Sequence, residues 1–339
     1  MISRLSIAVS AALLGACTGP EAGVFLHDTG ADLVDPTGPT VVTLPDTGTT
    51  STRPDQTTAC MGVPELDATT TAETTIDEGA WLPAGMDFDF DIDGRVITSM
   101  GNDLVRFGAD GSAELFLPGV GYVWGVRSLP TGEIAVARPG FGMTALVSDE
   151  APPRPVIGGL LNPLALEVGL DGTVYAADAT DDGHIWMVDP QGGAAALVAI
   201  LPYPTGLALS PDDETLYVAT YGNHGSHIAA IDRVDGVWDP ASARVVLAAN
   251  DQIYAMTTDV CGNLYYGELG GSVIQRVRFD DGDPRIEPVA DLSPAQSLTA
   301  LRFGTGVGGF AADRLYASAG GSLFGVTVGV DGRHVLSAR

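Results

Sequence analysis

The sequence predicts an all-β chain folded as a six-bladed β-propeller with four short antiparallel strands per blade. Three observations carry the prediction. A unit made of an apolar stretch, a tight turn and a β-rich stretch recurs six times. Its turn centres on Asp-Gly or an equivalent pair, the chemistry of a hairpin. No apolar period of about 3.6 residues runs long enough to cross a sheet as a helix.

The copies are Phe88 to Ile97, Val126 to Ala135, Leu166 to Tyr175, Leu207 to Tyr217, Thr257 to Tyr265, and Leu301 running through a longer loop to Tyr316. Taking the turn residue as a marker places them at Gly94, Gly132, Gly172, Asp213, Gly262 and Asp313, with separations of 38 to 51 residues. Each continues into a third apolar strand, such as His227 to Asp232, and a weak fourth, such as Arg244 to Leu247. Four short strands in a unit of about 40–50 residues make a propeller blade, and six blades close a ring. The alternating, Thr-rich stretch from Glu65 to Ile76 is expected to add an outer strand to the last blade.

Composition agrees with this and removes several functions. Gly (44) and Pro (22) are abundant and aromatics make up only 7%, as suits many turns. Acidic residues number 43 against 16 cations, a formal charge of −27. All the cations are Arg, so a Schiff-base lysine and a phosphate loop that needs Lys are excluded. A nucleic-acid partner is excluded by the same field, since phosphates are held by neutralising them.

The N-terminus reads as an address. Arg4 precedes an apolar run from Leu5 to Leu14, too short to span a bilayer. Leu14-Gly15-Ala16-Cys17 resembles the lipobox of bacterial lipoproteins, which implies that residues 1–16 are a signal peptide and that Cys17 carries the lipid. Thr18 after the cysteine points, in that family, to the outer membrane of the cell envelope. Residues 17–58 are rich in Thr, Pro, Gly and Asp, have no apolar period, and read as a flexible tether reaching about 35 Å. The propeller is expected over residues 59–339. In an exported protein the remaining thiols, Cys60 and Cys261, are expected to form a disulfide that pins the N-terminal segment to the body.

The stretch Pro204 to Ala219, and also Met256 to Tyr266, resembles the gluconolactonase/regucalcin family of six-bladed propellers, with NHL-like repeats sharing much of the pattern. In its enzymes a divalent metal sits at the channel mouth, held by a Glu, two Asn and an Asp, each eight residues before the turn glycine. The same offset here gives Met86, Trp124, Leu164, Thr205, Tyr254 and Thr305. Met86, Leu164, Thr205 and Tyr254 fall on the four ligand positions and offer no carboxylate or amide, whereas hard cations require several oxygens. The mouth is therefore expected to be an apolar and aromatic ring, either a pocket for an apolar or sugar-like ligand or a plug that fills the channel.

Propeller connectivity gathers Asp181, Asp182, His184, His224, His227 and Glu268 on one rim, where they are either weak candidates for a divalent metal and acid–base chemistry or solvated turn residues. Asp87, Asp89, Asp91 and Asp93 imitate the start of a calcium loop, but Met100 stands where its bidentate Glu is needed, and alternation explains them as one strand with two faces. No Gly-x-Ser-x-Gly elbow occurs. The resulting expectation is a lipid-anchored, non-catalytic binding or scaffolding module, with an envelope protein or a small molecule as partner. The alternative is a divergent metal-dependent hydrolase of lactonase type using the His/Asp rim.

Overall fold

The computed structural model describes residues 60, 73–76, 86–148, 152–222, 225–279, 284–295 and 297–333. Six four-stranded antiparallel sheets follow one another along the chain, each running from an inner to an outer strand. The inner strands are β2 (Phe88–Phe90), β6 (Val126–Ser128), β10 (Pro163–Val168), β14 (Pro204–Leu209), β18 (Ile253–Thr258) and β22 (Leu298–Phe303). Blades one to five run β2 to β5, β6 to β9, β10 to β13, β14 to β17 and β18 to β21 in order. The sixth takes β22, β23 (Arg314–Ala319) and β24 (Ser322–Thr327) and completes itself with β1 (Glu73–Ile76) on its outer edge. The N-terminal strand thus pairs with the C-terminal one and closes the ring, as the Thr-rich stretch predicted.

The repeated turn is physically uniform. In blades one to five the marker amide donates to the carbonyl three residues earlier, as from Gly94 to Asp91 and from Gly262 to Asp259, at 2.9 to 3.1 Å. The marker must then take a positive φ, which glycine does without strain. Asp213 holds the same position at φ 59° and is the exception.

The core lies between blades. Each of six apolar clusters is assembled from two neighbouring sheets, so no blade buries its faces alone. At the closing seam Phe88 and Phe90 of blade one meet Phe310 and Tyr316 of blade six, with the Phe90 ring 4.9 Å from Phe310 and 5.4 Å from Tyr316. A Cys60–Cys261 disulfide spans 201 residues and ties Cys60 to the turn between β18 and β19 (Leu264–Glu268). The bond is the expected one; its anchor is the fifth blade. Cys17 and the signal and tether segments lie outside the described residues.

Candidate functional site

Each inner strand begins at one face of the ring, here the mouth face, and ends in its turn on the other. Near the mouth the pairing is interrupted. Register shifts fall between Pro163 and Leu166, Pro204 and Gly206, Ile253 and Ala255, and Leu298 and Ala300. In blade two Trp124 donates to Ala137 O (3.1 Å) while Gly125 O accepts from the Ala137 amide (2.9 Å). These are β-bulges, which re-aim a side chain at the end of a ladder. The bulged positions are Trp124, Leu164, Thr205, Tyr254 and Thr299.

Four of the six predicted mouth residues, Trp124, Leu164, Thr205 and Tyr254, line one open cup of about 550 Å³. Asn162, Asp181, Tyr203, Tyr221 and Gln252 complete most of its wall. The mouth is thus concave at these positions. Two positions need correction. Met86 is half-buried and is not part of the cup lining. Thr305 lies beyond β22 and lines a different, 70 Å³ cavity towards the turn face. The long loop of blade six breaks the constant offset, and strand register gives Thr299 as the sixth mouth residue.

The wall is held from behind. Thr205 Oγ1 donates to Ile253 O at 2.8 Å, linking blades four and five. Tyr254 OH donates to Gln252 Oε1 at 2.5 Å, and Asn162 Nδ2 donates to Ala179 O at 3.1 Å. Tyr203 adopts φ 42°, uncommon for an aromatic residue, fixed by its amide on Thr180 O (2.8 Å) and by the Tyr221 amide on its own carbonyl (3.1 Å).

Beneath the cup the channel is ionic, which sequence reading missed. The next inward position of the six inner strands carries Asp89, Arg127, Glu167, Ala208, Thr257 and Arg302, and all six line the 70 Å³ cavity. The buried carboxylate of Asp87 receives Arg127 from blade two and, at 3.0 Å, Arg302 from blade six. Arg333 enters from the C-terminal segment, pairing with Asp213 and donating to Ser210 O and Val168 O at 3.1 Å each. The signal was present: five of these residues stand three positions after the predicted mouth residues, and Arg302 stands three after Thr299. Burial raises the Asp89 carboxyl to about 6 against the pull of Arg127.

The proposed rim does not converge. Asp181 lines the cup and Asp182 is exposed beside it. His184 stacks on Trp186 at 5.7 Å, His227 lies 3.0 Å from Thr220 Oγ1, and Glu268 Oε1 accepts from the Asn250 amide at 3.1 Å. His224 lies outside the described residues. Among the described residues no three His, Cys, Asp or Glu side chains are grouped to hold a metal. The donor set of Met86, Leu164, Thr205 and Tyr254 does not fit a hard cation, because Thr205 and Tyr254 direct their hydroxyl protons within the wall and the other two bring no oxygen. The calcium-like run is also committed elsewhere: Asp91 accepts from the Asp93 and Arg95 amides at 3.0 and 2.8 Å and pairs with Arg106 at 2.8 Å.

No protein-family model matches the sequence, and no curated protein matches it. Solved structures do. A gluconolactonase from Xanthomonas campestris superposes with a TM-score of 0.64 at 18% identity, covering 81% of this chain and 92% of that one. A putative gluconolactonase gives 0.62 at 17%, covering 79% and 95%. A catalytically inactive variant of virginiamycin B lyase from Staphylococcus aureus, in a structure with quinupristin, gives 0.54 at 17%, covering 74% and 82%. At these identities the likeness is one of fold, and this chain is a six-bladed propeller whose structural neighbours include gluconolactonase-like propellers.

Proposed function

We propose that this chain is a non-catalytic binding module, a propeller that offers its mouth cup to a small ligand from a lipid anchor at Cys17 in the cell envelope. One observation carries the reading. Where metal-dependent relatives of this fold would need four oxygen ligands, this chain presents Met86, Leu164, Thr205 and Tyr254, and the cup that the last three line is open and walled by aromatics. A cavity of this size, walled by aromatic rings interleaved with polar groups, suits a small molecule.

The mature protein, incubated with aldonolactones and assayed for metal, is expected to show neither turnover nor stoichiometric metal. Steady hydrolysis abolished by a chelator would establish the lactonase alternative instead. The anchor is checked by fractionation: Cys17→Ser should move the protein from the membrane to the soluble fraction, and unchanged membrane retention would reject lipidation.

A further inference from the structure

Resting on the cup as a binding site, we propose that its ligand is an organic cation, an amine or quaternary ammonium carried on an apolar or aromatic body. Charge comes first. Among the described residues no Arg lines the cup and its one acidic or basic side chain is the exposed Asp181, and the chain has no Lys. Around it the protein carries a formal −27, a field that concentrates cations and repels anions.

Hydrogen bonding points the same way. Thr205, Tyr254 and Asn162 each direct a donor into the wall, at 2.8, 2.5 and 3.1 Å. Beside the Gln252 amide, the lining offers the Asp181 carboxylate and ring surfaces, and these favour a ligand that brings positive charge. Trp124, Tyr203, Tyr221 and Tyr254 supply the rings. Trp124 Nε1 is buried without a hydrogen-bond partner, so its indole offers the cup π surface rather than a donor. Cations are attracted to such faces, most strongly when desolvated. The same face of the ring already packs one: the Arg138 guanidinium sits 3.8 Å from the Phe141 ring centre.

Two further features mark the cup as built for contact. Tyr203 is held in a left-handed conformation at φ 42°, strain that persists only where surrounding bonds impose it. Of the large apolar side chains exposed among the described residues, Tyr221 lines the cup and Tyr122 meets the cup residue Trp124 edge to face at 5.9 Å. An apolar rim is the surface that the body of an amphipathic cation would meet.

The test is calorimetric titration of the full mature protein at low salt with three probes of one ring and three charges: benzyltrimethylammonium, benzyl alcohol and phenylacetate. The cation is expected to bind about tenfold more tightly than the alcohol, with no heat from phenylacetate. Asp181→Asn should weaken the cation several-fold and leave the alcohol unchanged. Tyr203→Gly removes the ring while suiting the left-handed backbone, so cation affinity should fall without loss of thermal stability. Equal affinity for cation and alcohol, or preference for phenylacetate, would overturn the charge class and leave the cup as a binding site. Absence of heat with all three probes would remove both readings.

Discussion

Asp87 shows how much one side chain can organise. Its neighbours at the same level of the inner strands are Gly125, Ala165, Gly206, Ala255 and Ala300, small because the bulged backbones approach closely; a Cβ on Gly125 would lie 2.6 Å from Leu164 O. Only Asp87 has reach there, and its carboxylate accepts from the Val126 amide (3.1 Å), the Phe88 amide (3.0 Å) and the guanidinium groups of Arg127 and Arg302. It joins the first blade to both neighbours. Asp87→Ala takes this carboxylate from Arg302 and leaves Arg127 with Glu167 at 3.7 Å, and removing one partner of a buried pair costs about 3–5 kcal/mol. Urea denaturation should show that loss, and a change below about 1 kcal/mol would mean that the arginines find other partners. Asp213 has a related double role. It takes the left-handed place that glycine fills in the other four short turns and directs its carboxylate to Arg333 and, at 2.6 Å, to the Leu170 amide.

At the scale of elements, the strap formed by the last described residues is the counterpart of that staple. The Val260 amide donates to Asp331 O (3.0 Å), the Arg333 amide donates to Thr258 O (3.0 Å), and the Arg333 side chain reaches blades three and four. Arg333→Ala is expected to cost about 3 kcal/mol by leaving Asp213 and Glu167 short of a buried partner, read as a lowered denaturation midpoint with unchanged β signal. The repeated turns, the inner strands and the closing strand were legible in the sequence because periodicity and Asp-Gly chemistry are local. The strap was not, since Arg333 belongs to no repeat. Thr305 was misplaced for a related reason: counting back from a turn fails when the loop before the marker grows, as between Phe303 and Arg314. The aromatic content of the cup was half legible. Trp124 and Tyr254 sit at the counted offset, whereas Tyr203 and Tyr221 enter from connections between strands whose course only the fold reveals.

For the molecule as a whole, the buried carboxyls set a pH dependence. Asp89 titrates at about 6 in the folded ring against about 4 when unfolded, because burial penalises its charge. The folded state therefore binds a proton that the unfolded chain releases, and the stability this confers is full below pH about 4 and is lost as pH rises through about 6. Burial raises Asp259 and Glu167 as well, with the same sign. Asp110 and Asp291 are shifted down by hydrogen bonds from serines, and their opposing effect falls below the ordinary carboxylate range. Relief of a −27 self-repulsion adds to the trend. Scanning calorimetry should find the protein more stable at pH 5 than at pH 7.5, and Asp89→Asn should flatten part of that slope. A midpoint that climbs towards neutral pH would contradict the assignment.

The position of the disulfide fixes how this disc meets its surroundings. Cys261 lies in the turn that follows β18, whereas Tyr254 at the other end of the same strand borders the bowl. A bead or sensor chip joined to the chain immediately before Cys60 would consequently hold the protein by its back, with the bowl turned to the passing solution. Reducing that single bond would release this orientation while leaving β1 hydrogen-bonded to the sixth sheet.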